Sequence, residues 1–142
     1  MERSIRLAAS LRWSLYGTGL ALLASGAAWL YVRYGIPEDS RPRGVLTVSM
    51  RIHGAAAMAA LALIGAVTAL HVKAAWIERR NIASGVALAA ALLALTITGY
   101  LLYYVGDEAA RALASAAHWL LGIGAPLALW WHTAAGAASR VN

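Results

Sequence analysis

The chain has 142 residues, of which 61% are hydrophobic and only 13% charged. A soluble domain carries about 25% charged residues, so this composition argues against a water-soluble globule and for a membrane protein. Cysteine is absent, which excludes disulfides, iron–sulfur clusters, thiolate zinc sites and covalently attached c-type haem. The formal charge of +6 does not call for nucleic acid, because the basic residues stand at the ends of apolar runs, where they meet lipid headgroups and set orientation.

Four apolar runs each reach the about 20 residues needed to cross a bilayer. The first covers residues 13–32. It follows Met1-Glu2-Arg3-Ser4-Ile5-Arg6 and ends in Trp29, Tyr31 and Arg33. With no small-residue cleavage site there, it reads as a retained helix and not as a signal peptide. Residues 35–44 hold the densest turn chemistry, with Gly35, Pro37, Pro42 and Gly44. The second run covers 52–72, and Glu78-Arg79-Arg80-Asn81 makes a short polar turn. The third covers 82–105, Gly106-Asp107-Glu108 breaks it, and the fourth covers 112–135 before the tail Ser139-Arg140-Val141-Asn142. Backbone exposed to lipid must satisfy its own hydrogen bonds, so these runs are helices. The expected fold is all-α, a single membrane domain forming a transmembrane four-helix up-and-down bundle, with short connections making neighbours antiparallel.

Orientation follows from the lysines and arginines. With the N-terminus inside, Arg3, Arg6, Arg12, Lys73, Arg79, Arg80 and Arg140 are inner, and Arg33, Arg41, Arg43, Arg51 and Arg111 are outer. The slight inner excess places both termini in the cytoplasm. Trp13, Tyr16, Trp76, Trp130 and Trp131 then mark the inner interface. Trp29, Tyr31, Tyr34, Tyr100, Tyr103, Tyr104 and Trp119 mark the outer one, as amphipathic rings prefer.

Four histidines interrupt this apolar pattern. Histidine is costly in hydrocarbon, and an intramembrane one signals function. His53 and His71 bracket the second run, and His118 and His132 the fourth. Both runs cross from outside to inside, so His53 and His118 share the outer level and His71 and His132 the inner. On a straight α-helix His53 and His71 are five turns apart and share a face, while His118 and His132 fall about 40° short of four turns. The rises, about 27 Å and about 21 Å, differ by roughly one turn, to be absorbed by tilt or by a local helix distortion. Two such imidazole pairs suit two haems, with iron ligated by His53 and His118 and by His71 and His132. A single zinc site is disfavoured by the separation of the pairs. A proton relay is conceivable because histidine titrates near neutral pH, but only Thr68 is polar between His53 and His71, and nothing is between His118 and His132.

Small residues follow the histidines on their faces, Ala57 and Ala60 after His53, and Gly122 and Ala125 after His118. They would lie beside a porphyrin, although small residues also pack membrane helices without any cofactor. Gly17, Gly19, Gly26 and Gly99 could bring the other two helices close to the macrocycle. Arg51, two residues before His53, is the basic residue best placed for a haem propionate. Lys73, Arg111 and Arg12 lie near similar levels, where snorkelling also accounts for them.

With these residues the chain resembles the bacterial membrane-bound di-haem cytochromes b. Thr98-Gly99-Tyr100-Leu101-Leu102-Tyr103-Tyr104 and Ala117-His118-Trp119-Leu120-Leu121-Gly122 look like the end of the third helix and the start of the fourth in that family. Arg51-Ile52-His53-Gly54 looks like a ligand-bearing start of the second. The 14-residue step from His118 to His132 matches the ligand step of the wider cytochrome b group, whereas the 18-residue step from His53 to His71 departs from it. The resemblance implies a four-helix bundle in the bacterial inner membrane with two b haems. It implies electron transfer between quinone and a partner redox protein within a respiratory complex.

The expectation is therefore a quinone-linked electron-transfer subunit with two haem b groups, lipid around it and a redox partner subunit beside it. Two alternatives stand. One is a non-redox anchor, assembly or transport subunit whose histidines are incidental; a transporter would add internal repeats, broken helices and midplane polar groups, and here Pro126 alone interrupts an apolar centre. The other is a cytochrome b with a single haem.

Overall fold

The computed structural model describes residues 7–79 and 81–138. Arg3, Arg6, Arg80, Arg140 and the terminal segments used for orientation lie outside the described residues. All regular structure among the described residues is helical. Four helices are long and apolar enough to cross a membrane, and they fit the expected up-and-down four-helix bundle. The chain divides at Ala74 into two compact units, each built on one helix hairpin.

In the first hairpin, α1 (Ala9–Gly35) stops before Pro37, whose ring drives Ile36 into extended backbone at φ −115° and ψ 132°. One 3-10 turn (Glu38–Ser40) carries the connection. Arg41 fastens it by donating from Nε to the Ile36 carbonyl at 2.9 Å. Helix α2 (Arg43–Val67) then starts directly after Pro42, nine residues before the apolar run that marks it in the sequence. Helical hydrogen bonding does not stop where apolar residues do, so it continues to the nearest proline.

Past Val67 the backbone winds into a π-turn (Thr68–Val72) and resumes as α3 (Lys73–Ile77). At its start the Thr68 hydroxyl donates to the Ile64 carbonyl at 2.8 Å, a bond that regular helix also carries at Thr96 and Thr98, so this bond alone does not account for the π-turn. His71 lies inside the π-turn. A π-turn bonds each carbonyl one residue further on than an α-turn does. The straight five-turn count from His53 to His71 therefore fails over its last residues, and His71 is rotated off the face that count assigns it. A π-turn takes up one residue, about 1.5 Å of rise, which is less than the difference of about 6 Å between the two histidine ladders.

The second hairpin joins α4 (Ile82–Tyr104) to α5 (Glu108–Ala138). Helix α4 begins after Asn81, held left-handed at φ 53°. Helix α5 is capped by Asp107, whose carboxylate accepts from the Ala110 amide at 2.8 Å, a favourable charge at a helix N-terminus. The helix continues through Pro126. Both hairpins pack on small residues. The buried residues among those described are Ser25, Val32, Ser49, Ser84 and Ala114, as expected where lipid removes the hydrophobic drive and close backbone approach replaces it. Eleven of the twelve tryptophans and tyrosines are exposed, Trp29 being half-buried, which suits interfacial belts.

Candidate functional site

Three of the four histidines rest on the partner helix of their own hairpin in one recurring arrangement. His53, early in α2, meets Ser25, late in α1, with Nδ1 3.1 Å from Oγ. His118, early in α5, meets Thr98, late in α4, with Nδ1 2.9 Å from Oγ1. His132, late in α5, meets Ser84, early in α4, with Nδ1 3.1 Å from Oγ. These early–late pairings make both hairpins antiparallel.

The hydrogen-bond network assigns the tautomer. The Ser25 hydroxyl donates to the Ala21 carbonyl at 2.6 Å, and the Thr98 hydroxyl to the Ala94 carbonyl at 2.7 Å. The Ser84 hydroxyl donates to the Asn81 carbonyl at 3.2 Å. Each hydroxyl has one hydrogen, spent on its own helix, so it accepts from the imidazole. His53 supplies an independent check: its Nδ1 is also 3.1 Å from the Leu22 carbonyl, an atom that can only accept. This network assigns the Nδ1 proton to all three rings, most directly to His53 through the Leu22 carbonyl, which leaves the in-plane lone pair on Nε2.

A glycine follows each hydroxyl residue. A Cβ built on Gly26 would stand 3.4 Å from His53 Cε1, on Gly85 3.5 Å from His132 Cε1, and on Gly99 3.3 Å from His118 Cε1. The Nδ1–Cε1 edge of each ring is seated in the gap. Glycine here admits the imidazole itself, at Gly26 and Gly99 as at Gly85. Gly17 and Gly19 have nothing within 4 Å of such a Cβ.

The remaining expected residues are placed as follows. All four histidines are half-buried. Arg51 is exposed on α2, and Ala57 is half-buried. Gly122 faces its own hairpin, a Cβ there reaching Leu95 Cδ2 at 4.0 Å. His71 stands apart from the other three in backbone, lying in the π-turn. Among the described residues no group of three or more His, Cys, Asp or Glu side chains comes together; iron in a porphyrin asks for only two protein ligands.

Sequence reasoning missed Ser25, Ser84, Thr98, Gly85 and the Leu22 carbonyl. The signal was a hydroxyl–glycine dipeptide, present as Ser25-Gly26, Ser84-Gly85 and Thr98-Gly99. In the second hairpin it repeats after 14 residues, the step that separates His118 from His132.

Comparison with known proteins finds no matching family model, no similar curated protein and no similar solved structure.

Proposed function

We propose that this chain is a membrane-embedded b-type cytochrome subunit that holds two haem groups and serves electron transfer across the bilayer. The observation that carries the reading is the shared state of three histidines. Each gives its Nδ1 proton to an acceptor on the neighbouring helix, beside a glycine, within an apolar hairpin. That is the tautomer in which histidine binds metal through Nε2, with the opposite nitrogen fixed by a hydrogen bond. The donor set fits non-covalent haem, since imidazole is available and cysteine is not. An anchor or assembly subunit with incidental histidines has no use for three such seats of one design.

Haem iron bound there would supply one-electron chemistry, at a potential governed by its ligands, burial and nearby charge. The protein's part is to hold the His53, His118 and His132 rings by their Nδ1–Cε1 edges, present Nε2, and exclude water with apolar helix surface. His53 pairs with His118, and His71 with His132, an assignment that rests on the order of the spans. Arg51 would compensate a propionate, and Ala57 and Gly122 would leave room beside the ring. The family is that of the bacterial four-helix di-haem cytochromes b. The location is the bacterial inner membrane with both termini cytoplasmic, the small-molecule partner a quinone, and the protein partner a redox subunit.

One observation favours a second reading. His71 occupies a π-turn while the other three histidines lie in regular α-helix, which suits a single haem at the outer level.

Pyridine haemochrome quantification and a reduced-minus-oxidised spectrum on purified protein decide between them. Two b haems per chain support the first reading, one supports the second, and none after expression with ample haem rejects both. His53→Ala and His118→Ala should remove the same haem. If they remove different ones, the pairing is wrong.

A further inference from the structure

We infer that Ser25, Ser84 and Thr98 are positioning residues that set the electron-donating strength of the histidines they hold, with Thr98 the strongest. This rests on the haem reading and adds to it a means of tuning potential through the partner helix of each hairpin.

The argument starts from the chain of bonds. Each hydroxyl accepts the imidazole proton and passes its own hydrogen to a carbonyl one turn back. A hydroxyl that is itself donating is a better acceptor, because successive hydrogen bonds polarise one another. A stronger acceptor at Nδ1 pushes negative charge into the ring and makes Nε2 more basic. A more basic ligand favours ferric over ferrous iron and so lowers the potential.

Geometry ranks the three. Thr98 has the tightest combination, 2.7 Å to the Ala94 carbonyl and 2.9 Å to His118. Ser84 is looser on both sides, at 3.2 Å and 3.1 Å. Ser25 donates tightly, at 2.6 Å, but it shares the His53 proton with the Leu22 carbonyl, each 3.1 Å away. Its loss leaves His53 an acceptor. Stability does not explain these residues well, because interhelical polar bonds in membranes average only about 0.6 kcal/mol.

The experiment is a potentiometric titration of the full-length protein, with haem per chain measured on the same samples. Thr98→Val keeps the shape and removes the hydroxyl; Thr98→Ser restores it. In Thr98→Val, at the wild-type midpoint, the ferrous-to-ferric ratio of one haem should rise about 3- to 10-fold, the range of a lost hydrogen bond. Tenfold corresponds to about 59 mV for one electron. Thr98→Ser should stay at the wild-type value, Ser84→Ala should shift by less, and Ser25→Ala least. Loss of haem in Thr98→Val with retention in Thr98→Ser also supports positioning by the hydroxyl. Full haem with an unchanged potential in Thr98→Val overturns the inference and leaves the haem reading intact. Equal effects of valine and serine overturn it too. Absence of haem from the wild-type protein removes the haem reading, and the inference falls with it.

Discussion

In the α4–α5 hairpin, Ser84 and Thr98 stand 14 residues apart, and so do His132 and His118, which they hold. In the α1–α2 hairpin, His53 and His71 are 18 apart, and a π-turn lies between them. Two antiparallel helices keep two contacts in one register only when both advance equally between them, and each α-helical residue advances about 1.5 Å. The second hairpin meets that condition along its whole length, and Pro126 does not break it. In the first, the register that joins Ser25 to His53 would bring His71 level with Leu7, ahead of the first turn of α1 at Ala9. The comparison teaches that one hairpin positions its histidines by matched spacing. The other seats His53 against Ser25 and carries His71 on a distorted stretch of helix.

Equal deletions should have unequal effects, and this is the largest difference expected. Removing Ala128 from α5 turns His132 by about 100° against His118 and shifts it about 1.5 Å, away from Ser84. Loss of one haem per chain is the expected result. Removing Ala69 from the π-turn takes out the residue by which a π-turn exceeds an α-turn. The helix closes as regular α, and α3 keeps its place. Haem content should hold, with stability changed by about 1 kcal/mol, as in ordinary single substitutions. Haem per chain and thermal unfolding of the two variants check this. Equal haem loss in both would erase the distinction between the hairpins.

A finer test uses the glycines. Alanine at Gly99 places a Cβ 3.3 Å from His118, closer than most packed carbons come, while alanine at Gly26 or Gly85 makes ordinary contacts of 3.4 and 3.5 Å. Gly99→Ala should cost about 1 kcal/mol of haem retention, as mild overpacking does, and perturb the haem absorption band. Gly85→Ala and Gly26→Ala should remain close to wild type. Haem-release rates into apomyoglobin rank the three. An order with Gly85→Ala worst would mean that the imidazole edge does not sit in these gaps.

The helices were legible because apolar composition over a bilayer's width leaves the backbone no other structure. Their ends were less so. Helix α2 begins at Arg43 because Pro42 sets its start, and no hydropathy pattern records that. The histidines were legible as polar exceptions in an apolar field. Their acceptors were not, because polar stations were sought between histidines on the same helix, and Ser25, Ser84 and Thr98 lie on the neighbouring one. Each resembles an ordinary helix serine or threonine until the glycine after it is read with it. The π-turn was not legible: a mismatch of about one turn between the two histidine steps neither locates it nor equals the single residue that it takes up. Its position, Thr68–Val72, is one that the pattern of apolar residues does not encode.

The smallest expected effect concerns Gly122, proposed to leave room beside haem, where an added Cβ would also reach Leu95 of its own hairpin. A methyl group there meets Leu95 Cδ2 at 4.0 Å, an ordinary contact. Alanine is also the better helix former by about 0.8–1.0 kcal/mol. Two features could reverse that gain. Gly122 precedes Pro126 by one turn, so its carbonyl faces the proline ring, and an added Cβ reduces its freedom to tilt aside. If a porphyrin lies against this face, the methyl would also crowd its edge. The helix gain and the open distance to Leu95 outweigh the first, since α5 is already regular through the proline. Gly122→Ala should therefore raise the unfolding midpoint slightly and leave haem content unchanged. A stable, helical variant that has lost haem would show that the room Gly122 leaves beside the ring admits no methyl group, and that its packing within the hairpin is a secondary use of the same glycine.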